Sequence, residues 1–481
     1  MPLAVMAKKE KKQEVDSLGN KIKTGWNFGI LPSVAYDADY GFQGGILTNV
    51  YYYGDGSQYP EYIHSIYFEG AYTTKHHGIF RLNYDSKYLI PGYRLTLDAT
   101  YLPDAMCDFY GFNGYQSVYH STWHSWNKKP EKMNVDEYKT RVFYKYKRDL
   151  IRVAGDIEGT IYKDLKWNAG LGVLGYIIDD CNIGMLNGKN VYDPSLTHQK
   201  ALNPNAELLY DKYKKWGLIG AEEMNGGWHP YLRGGITYDT RDKRQGPNKG
   251  IYTDLFFTYS AAFNAAYGQQ ATAGYNHLQF NFTFRHYVPC FKDKNGINRI
   301  TFAYRLGLQN NIAGRSPFYM NNYMNTLFIQ RVYYEGLGGG NSIRGMMANR
   351  ILANGFAFAN VEFRFRVVNF DIGRQHFFIG LNPFFDLGVV TQPYNLDDLV
   401  AMHTNGAYST LKASVAANGD KYEDYFTTDP KDIYRPHMTA GIGLKVGMNE
   451  NFVLSADWGM PIDKQDNGKL ANFYVKMGYL F

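Results

Sequence analysis

Long runs of strict two-residue alternation fill this chain from Trp26 onward, and no other feature constrains its fold as much. In "RITFAYRLGLQ" (299–309), Ile300, Phe302, Tyr304, Leu306 and Leu308 alternate with Thr301, Ala303, Arg305, Gly307 and Gln309. Phe280, Phe282 and Phe284 alternate in the same way with Gln279, Asn281, Thr283 and Arg285. A third run sets Val361, Phe363, Phe365 and Val367 against Asn360, Glu362, Arg364 and Arg366. A period of two marks a strand with one apolar and one polar face. It leaves open which face meets water, because a soluble sandwich alternates too.

Length decides between them. The runs cover about 10 to 14 residues, beyond the ~5–6 of globular strands and enough to cross a bilayer at a tilt. Sixteen runs lie near 26–36, 41–53, 62–74, 78–88, 92–102, 137–161, 166–179, 230–241, 249–263, 275–289, 298–311, 355–368, 376–390, 437–447, 451–460 and 470–481. An even count returns both ends of the chain to one side, so the long sixth run is kept as one strand. Short connections alternate with long ones at 103–136, 180–229, 312–354 and 391–436, as turns on one side and loops on the other require. The last run, "NFYVKMGYLF", places Phe473, Val475, Met477, Tyr479 and Phe481 on one face, as suits a strand closing on the first. The sequence therefore predicts an all-β transmembrane barrel of sixteen antiparallel strands over 25–481, with 1–24 as a tail.

Composition removes the competing classes. Mean hydropathy is −0.41, and Asn264, Gln269, Gln270, Asn276 and His277 interrupt the longest uncharged stretch, so no spanning helix is expected. The 43 Tyr, 30 Phe and 50 Gly suit strands, tight turns and interfacial aromatic belts. A net charge of +6 is spread along the chain, without the dense basic cluster that nucleic acid demands. Cys107, Cys181 and Cys290 lack CxxC spacing, which argues against zinc and thioredoxin-like chemistry; free thiols are expected, with a Cys107–Cys181 bridge as the alternative. His120 and His124 have i, i+4 spacing but lie in an aromatic loop without helical pattern, so no metal site is expected there. No Ser/His/Asp arrangement stands out, and neither an enzyme nor a cofactor is predicted. "MPLAVMAKKEKKQ" reads equally as the stump of a signal peptide and as a charged tail.

One stretch resists the strand reading. "GLGGGNSIRGMM" (336–347) concentrates glycine around Arg344, within the third long loop. A phosphate loop would need Lys where Met346 stands, a dinucleotide fingerprint would need Gly at Asn341, and a nucleophile elbow around Ser342 lacks its second glycine.

Four segments in order across 230–481 then carry a resemblance: "YDTRDKRQGPNKG" (238–250), "GGGNSIRGM" (338–346), "NVEFRFRV" (360–367) and "FFDLGVV" (384–390), with "FYGFNG" (109–114) a looser echo. The chain resembles the barrel domain of the bacterial surface antigen superfamily, the group of BamA- and TamA-type barrels and two-partner secretion transporters. In that family loop six folds back into the barrel and its arginine meets acidic residues of the inner wall. The resemblance implies a loop-six motif of Gly338, Gly339, Gly340, Ile343, Arg344 and Gly345, with Glu362 and Asp386 as inner-wall partners. Parity agrees, since both carboxylates fall on the polar faces of their runs. Inward charges such as Arg233, Asp239, Arg241, Asp254, Arg285 and Arg305 are expected to pair with one another and fill the lumen.

About 25 residues precede the first run, fewer than the ~40 a small periplasmic domain needs, so the chain resembles barrel-only members. The implied function is insertion or translocation of polypeptides at the bacterial outer membrane. Its expected partners are the lipid bilayer, client polypeptides and a protein that supplies client recognition. The alternative is a passive channel or a structural barrel whose loops bind ligands. If the barrel opens sideways, Gly29 of the first strand and Gly478 of the last would flank the opening.

Overall fold

A computed structural model describes residues 22–59, 61–243, 246–261, 275–294, 296, 298–321, 336–373, 375–448, 452–469 and 471–481. Sixteen antiparallel strands close into a barrel. They are β1 (Trp26–Asp37), β2 (Gly41–Tyr52), β3 (His64–Thr73), β4 (Gly78–Ile90), β5 (Tyr93–Leu102), β6 (Lys145–Tyr162), β7 (Leu165–Asp179) and β8 (Gly226–Asp239). The second half comprises β9 (Gly250–Ser260), β10 (His277–Lys292), β11 (Asn298–Gly314), β12 (Gly355–Ile372), β13 (Gln375–Gln392), β14 (His437–Met448), β15 (Phe452–Pro461) and β16 (Asn472–Met477). No helix among the described residues is long and apolar enough to cross a membrane.

The barrel turns its apolar parity outward. On β12, Phe363 is 43% exposed while Asn360, Glu362 and Arg364 are buried inside. On β11, Leu306 faces out, and Thr301, Ala303 and Arg305 face in. Hydrocarbon can take the outer side chains, whereas charges in the lumen must find one another. They do so along the wall: Arg81 and Arg152 share Asp98 at 2.9 and 3.3 Å, and Arg94 holds Asp85 at 2.6 Å. Of the charges singled out by sequence, Arg233 pairs with Asp156 and Arg241 with Asp239 at 2.8 Å. Asp254 accepts from the Tyr252 hydroxyl at 2.7 Å, the Arg285 guanidinium lies over the Tyr252 ring, and Arg305 donates to Asn360 at 2.8 Å.

Two elements differ from the sequence reading. The sixth strand starts at Lys145 and not at 137, because Lys139 and Thr140 donate their amides to the Trp123 carbonyl and turn this segment into the loops. The last strand ends at Met477 and not at the final residue. Gly478 takes φ +84, a left-handed conformation that bends the chain. Phe473 and Met477 keep the outward face, but Leu480 and Phe481 turn inward and are buried with Tyr287 and Ala303. Phe481 therefore does not share the face of Phe473.

Closure is uneven. β1 pairs with β2 along its whole length, from Trp26–Tyr52 to Asp37–Gly41. Among the described residues it meets β16 only at Tyr36–Val475 and Asp37–Tyr474. Among the described residues Gly29 has no counterpart on β16, so Gly29 and Gly478 do not face each other across the seam.

The long loops pack into a lid over one end. Phe109, Phe112, Trp123, Tyr213, Trp216, Phe318, Tyr394, Tyr425 and Phe426 form one buried cluster. Edge-on ring contacts, such as Phe109–Tyr213 at 5.0 Å and Trp216–Tyr425 at 4.8 Å, knit it together. His120 and His124 belong to this lid, where their ring nitrogens meet the Asp424 carbonyl and the Tyr119 hydroxyl. Cys107, Cys181 and Cys290 are all free thiols.

Candidate functional site: the seat of loop six

Loop six enters the lumen and lies against the wall opened by β12, β13 and β15. Its glycines make that approach possible. Gly345 takes φ +98, and a Cβ there would stand 2.6 Å from the Gly459 backbone. Reciprocally, a Cβ on Gly459 of β15 would strike the Arg344 carbonyl at 2.6 Å. Loop and strand thus touch backbone to backbone, which only glycine permits on both sides. The Ser342 hydroxyl closes the turn by donating to the Gly338 carbonyl at 2.6 Å. Ile343 buries itself with Leu337, Met346, Ile351, Phe356 and Val390 and fills the space over Gly388, where a Cβ would strike its side chain.

Arg344 is fully buried. Its Nε and one terminal nitrogen donate to the two oxygens of Asp386, both at 2.9 Å, and its own backbone amide adds a third bond at 3.0 Å. The other terminal nitrogen donates to Glu362 at 2.7 Å. The guanidinium carbon lies over the Phe384 ring, 3.5 Å from its centre. A planar fork meets a carboxylate in two parallel bonds, a geometry that lysine could not reproduce.

The cluster extends further than the sequence indicated. Arg364 donates to Glu362 at 2.9 Å and to the Phe481 carbonyl at 2.7 Å. Lys445 holds Asp457 at 2.5 Å, and Asp457 lies 3.9 Å from Arg344. Three cations (Arg344, Arg364, Lys445) thus meet three carboxylates (Glu362, Asp386, Asp457) in one buried cluster. Parity alone puts Asp457 and Lys445 on inward faces, but nothing local reports that their strands bring them to the height of Arg344.

Loop six also touches the seam. Lys476 of β16 donates to the Gly340 carbonyl at 2.5 Å, and the Gly345 amide donates to the Tyr474 hydroxyl at 3.2 Å. A Cβ on Gly340 would lie 2.8 Å from an Asp37 oxygen. One of the two pairs at which β1 and β16 meet, Asp37–Tyr474, is thus in contact with the loop. Of the motif, Gly338, Gly339 and Gly340 lead the loop to the seam, and Ile343, Arg344 and Gly345 carry it across the inner wall. Val475 lies in the seam itself, while Tyr479 lies under the Arg364 guanidinium at 4.3 Å.

A closed sixteen-stranded barrel with apolar residues outside, a paired charge lining and an arginine-anchored inserted loop defines an outer-membrane β-barrel of the loop-six type. The Omp85 superfamily domain matches residues 133–481, more than half of the chain, and the chain belongs to that superfamily. The match reaches well upstream of the segments that carried the resemblance in the sequence. No curated protein matches the sequence. The fold is similar to that of BamA from Haemophilus ducreyi lacking POTRA domains 1–3: identity is 13%, 95% of this chain and 71% of that one are covered, and the TM-score is 0.50. CdiB from Escherichia coli gives 11% identity over 93% of this chain and 62% of its own length, with a TM-score of 0.48.

Proposed function

We propose that this barrel inserts or translocates polypeptides at the bacterial outer membrane by opening between β1 and β16. The observation that carries the reading is the seam: among the described residues, β1 meets β16 only at Tyr36 and Asp37. The rest of its edge, from Trp26 to Ala35, has no second strand partner among the described residues. An unpaired edge is a template for another strand. Its outward side chains are apolar, with Phe28 78% exposed, and suit a strand that is entering lipid. Membership of the Omp85 superfamily supports this reading in general terms. The work is non-enzymatic, and a partner protein brings clients to the turn end. The aromatic lid over one end counts against a wide passive channel, since its rings are buried against one another.

The test is a reversible lock. Tyr36 and Val475 face each other directly, so cysteines there can bridge the seam. Oxidation is expected to stop client assembly in reconstituted membranes, and a reductant should restore it. A locked barrel with full activity would favour the channel or ligand-binding alternative. Purification from native membranes should bring the recognition partner along.

A further inference from the structure

Six residues past Arg344, loop six buries a second guanidinium. Arg350 is fully buried and donates to three backbone carbonyls: Gln465 at 2.8 Å, Gly114 at 2.8 Å and Ser117 at 3.1 Å. Those carbonyls belong to two other loops, the one between β5 and β6 and the one between β15 and β16. Its closest carboxylate, Asp466, stands 3.9 Å away and is engaged elsewhere. One Asp466 oxygen accepts from the Tyr115 hydroxyl at 2.6 Å, the other from His437 Nδ1 at 2.5 Å. The Tyr115 ring stacks on His437 at 3.7 Å. Loop six adds two backbone bonds to the same neighbours, Met347 N to Asp466 O at 3.0 Å and Asn113 N to Leu352 O at 2.8 Å.

We propose that Arg350 is a positioning residue that couples loop six to the lid, so that the inserted loop and the outer loops move as one body. Two rigid ends make this possible. Arg344 ties one end of the 344–350 segment to the inner wall, and Arg350 ties the other to the segments around Gly114 and Gln465. A displacement at the wall is then passed to the outer surface through the five buried residues between the two arginines. Release of Arg344 by a polypeptide in the lumen would loosen the lid above it. No part of this coupling depends on which polypeptide the barrel handles.

Amide hydrogen exchange on the full chain in lipid nanodiscs tests it without any client. Arg350→Ala takes a guanidinium donor from three buried carbonyls, of which Gly114 keeps the Ser117 amide, so exchange over 113–119 and 463–467 is expected to rise about tenfold or more. The decisive readout is transmission. Arg344→Ala should raise exchange at 113–119 about threefold or more, although Arg344 does not touch that segment. The same change added to Arg350→Ala should leave 113–119 where Arg350→Ala alone puts it. Should Arg350→Ala fail to fold, Tyr115→Phe removes only the phenol bond to Asp466 and should loosen both lid segments more mildly. Exchange that rises only within 338–346 in Arg344→Ala, with 113–119 at its wild-type rate, would overturn the coupling.

Discussion

Removing Arg344 should release loop six while the barrel stays closed, and the charge cluster shows where the cost falls. In Arg344→Ala, Glu362 keeps Arg364 at 2.9 Å and Asp457 keeps Lys445 at 2.5 Å. Asp386 loses both side-chain donors and retains only the backbone amide of residue 344. The penalty is therefore that of one buried carboxylate stripped of its counter-ion, about 3–5 kcal/mol. At about 1.4 kcal/mol per decade, the opening equilibrium of the loop shifts by roughly two to three and a half orders of magnitude. Asp386→Ala should cost a similar amount, because it strands the guanidinium with Glu362 as its one close partner. The double variant should cost less than the sum, by an interaction energy of about 0.5–3 kcal/mol. Limited proteolysis of residues 336–347 on intact cells, combined with exchange rates over the same segment, gives all four corners of the cycle. Strict additivity, or a wild-type loop already cut from outside, would refute a buried Arg344–Asp386 pair.

Two further outcomes are expected. Phe363→Arg puts a cation on the lipid face and should impair membrane assembly by about 2–4 kcal/mol, read as heat-modifiable migration of the folded barrel; Phe363→Leu should be silent. Glu223 lies buried in the lid, where it accepts from the Phe318 amide at 3.0 Å, and burial pushes its carboxyl up to about 7 against the pull of Arg315. A raised carboxyl stabilises the folded lid fully below the ordinary value near 4.5 and loses that contribution as pH rises through 7. Protection factors over 218–224, corrected for the intrinsic pH dependence of amide exchange, should thus be lower at pH 8 than at pH 5.5, and Glu223→Gln should flatten that difference.

Alternation is a local property, and the chain carries it openly. Most strands repeat their apolar and polar faces every two residues, so strand positions were legible from residues such as Phe363 and Arg364, while run length pointed the apolar face outward and the even count followed from returning both chain ends to one side. The long loops were legible for the same reason, as places where the period stops. Arg344, Glu362 and Asp386 were within reach because the family resemblance implied an arginine of loop six with carboxylate partners on the inner wall, and parity placed both carboxylates on polar faces. Other features depend on where distant segments end up. Asp457 and Lys445 join the cluster through the stagger of strands around a closed cylinder, a sum over many hydrogen-bonded registers that no single stretch encodes. Arg350 read as an ordinary loop cation, since its partners are backbone carbonyls, which have no sequence signature. The final residues show the limit most clearly. Their alternation continues to Phe481, yet Gly478 bends the chain inward, because Arg364 and Tyr287 offer the tail a seat inside the barrel. The faces of the strands were settled by neighbouring residues; the width of the seam and the fate of the tail were settled by closure, which brings the two ends of the chain together.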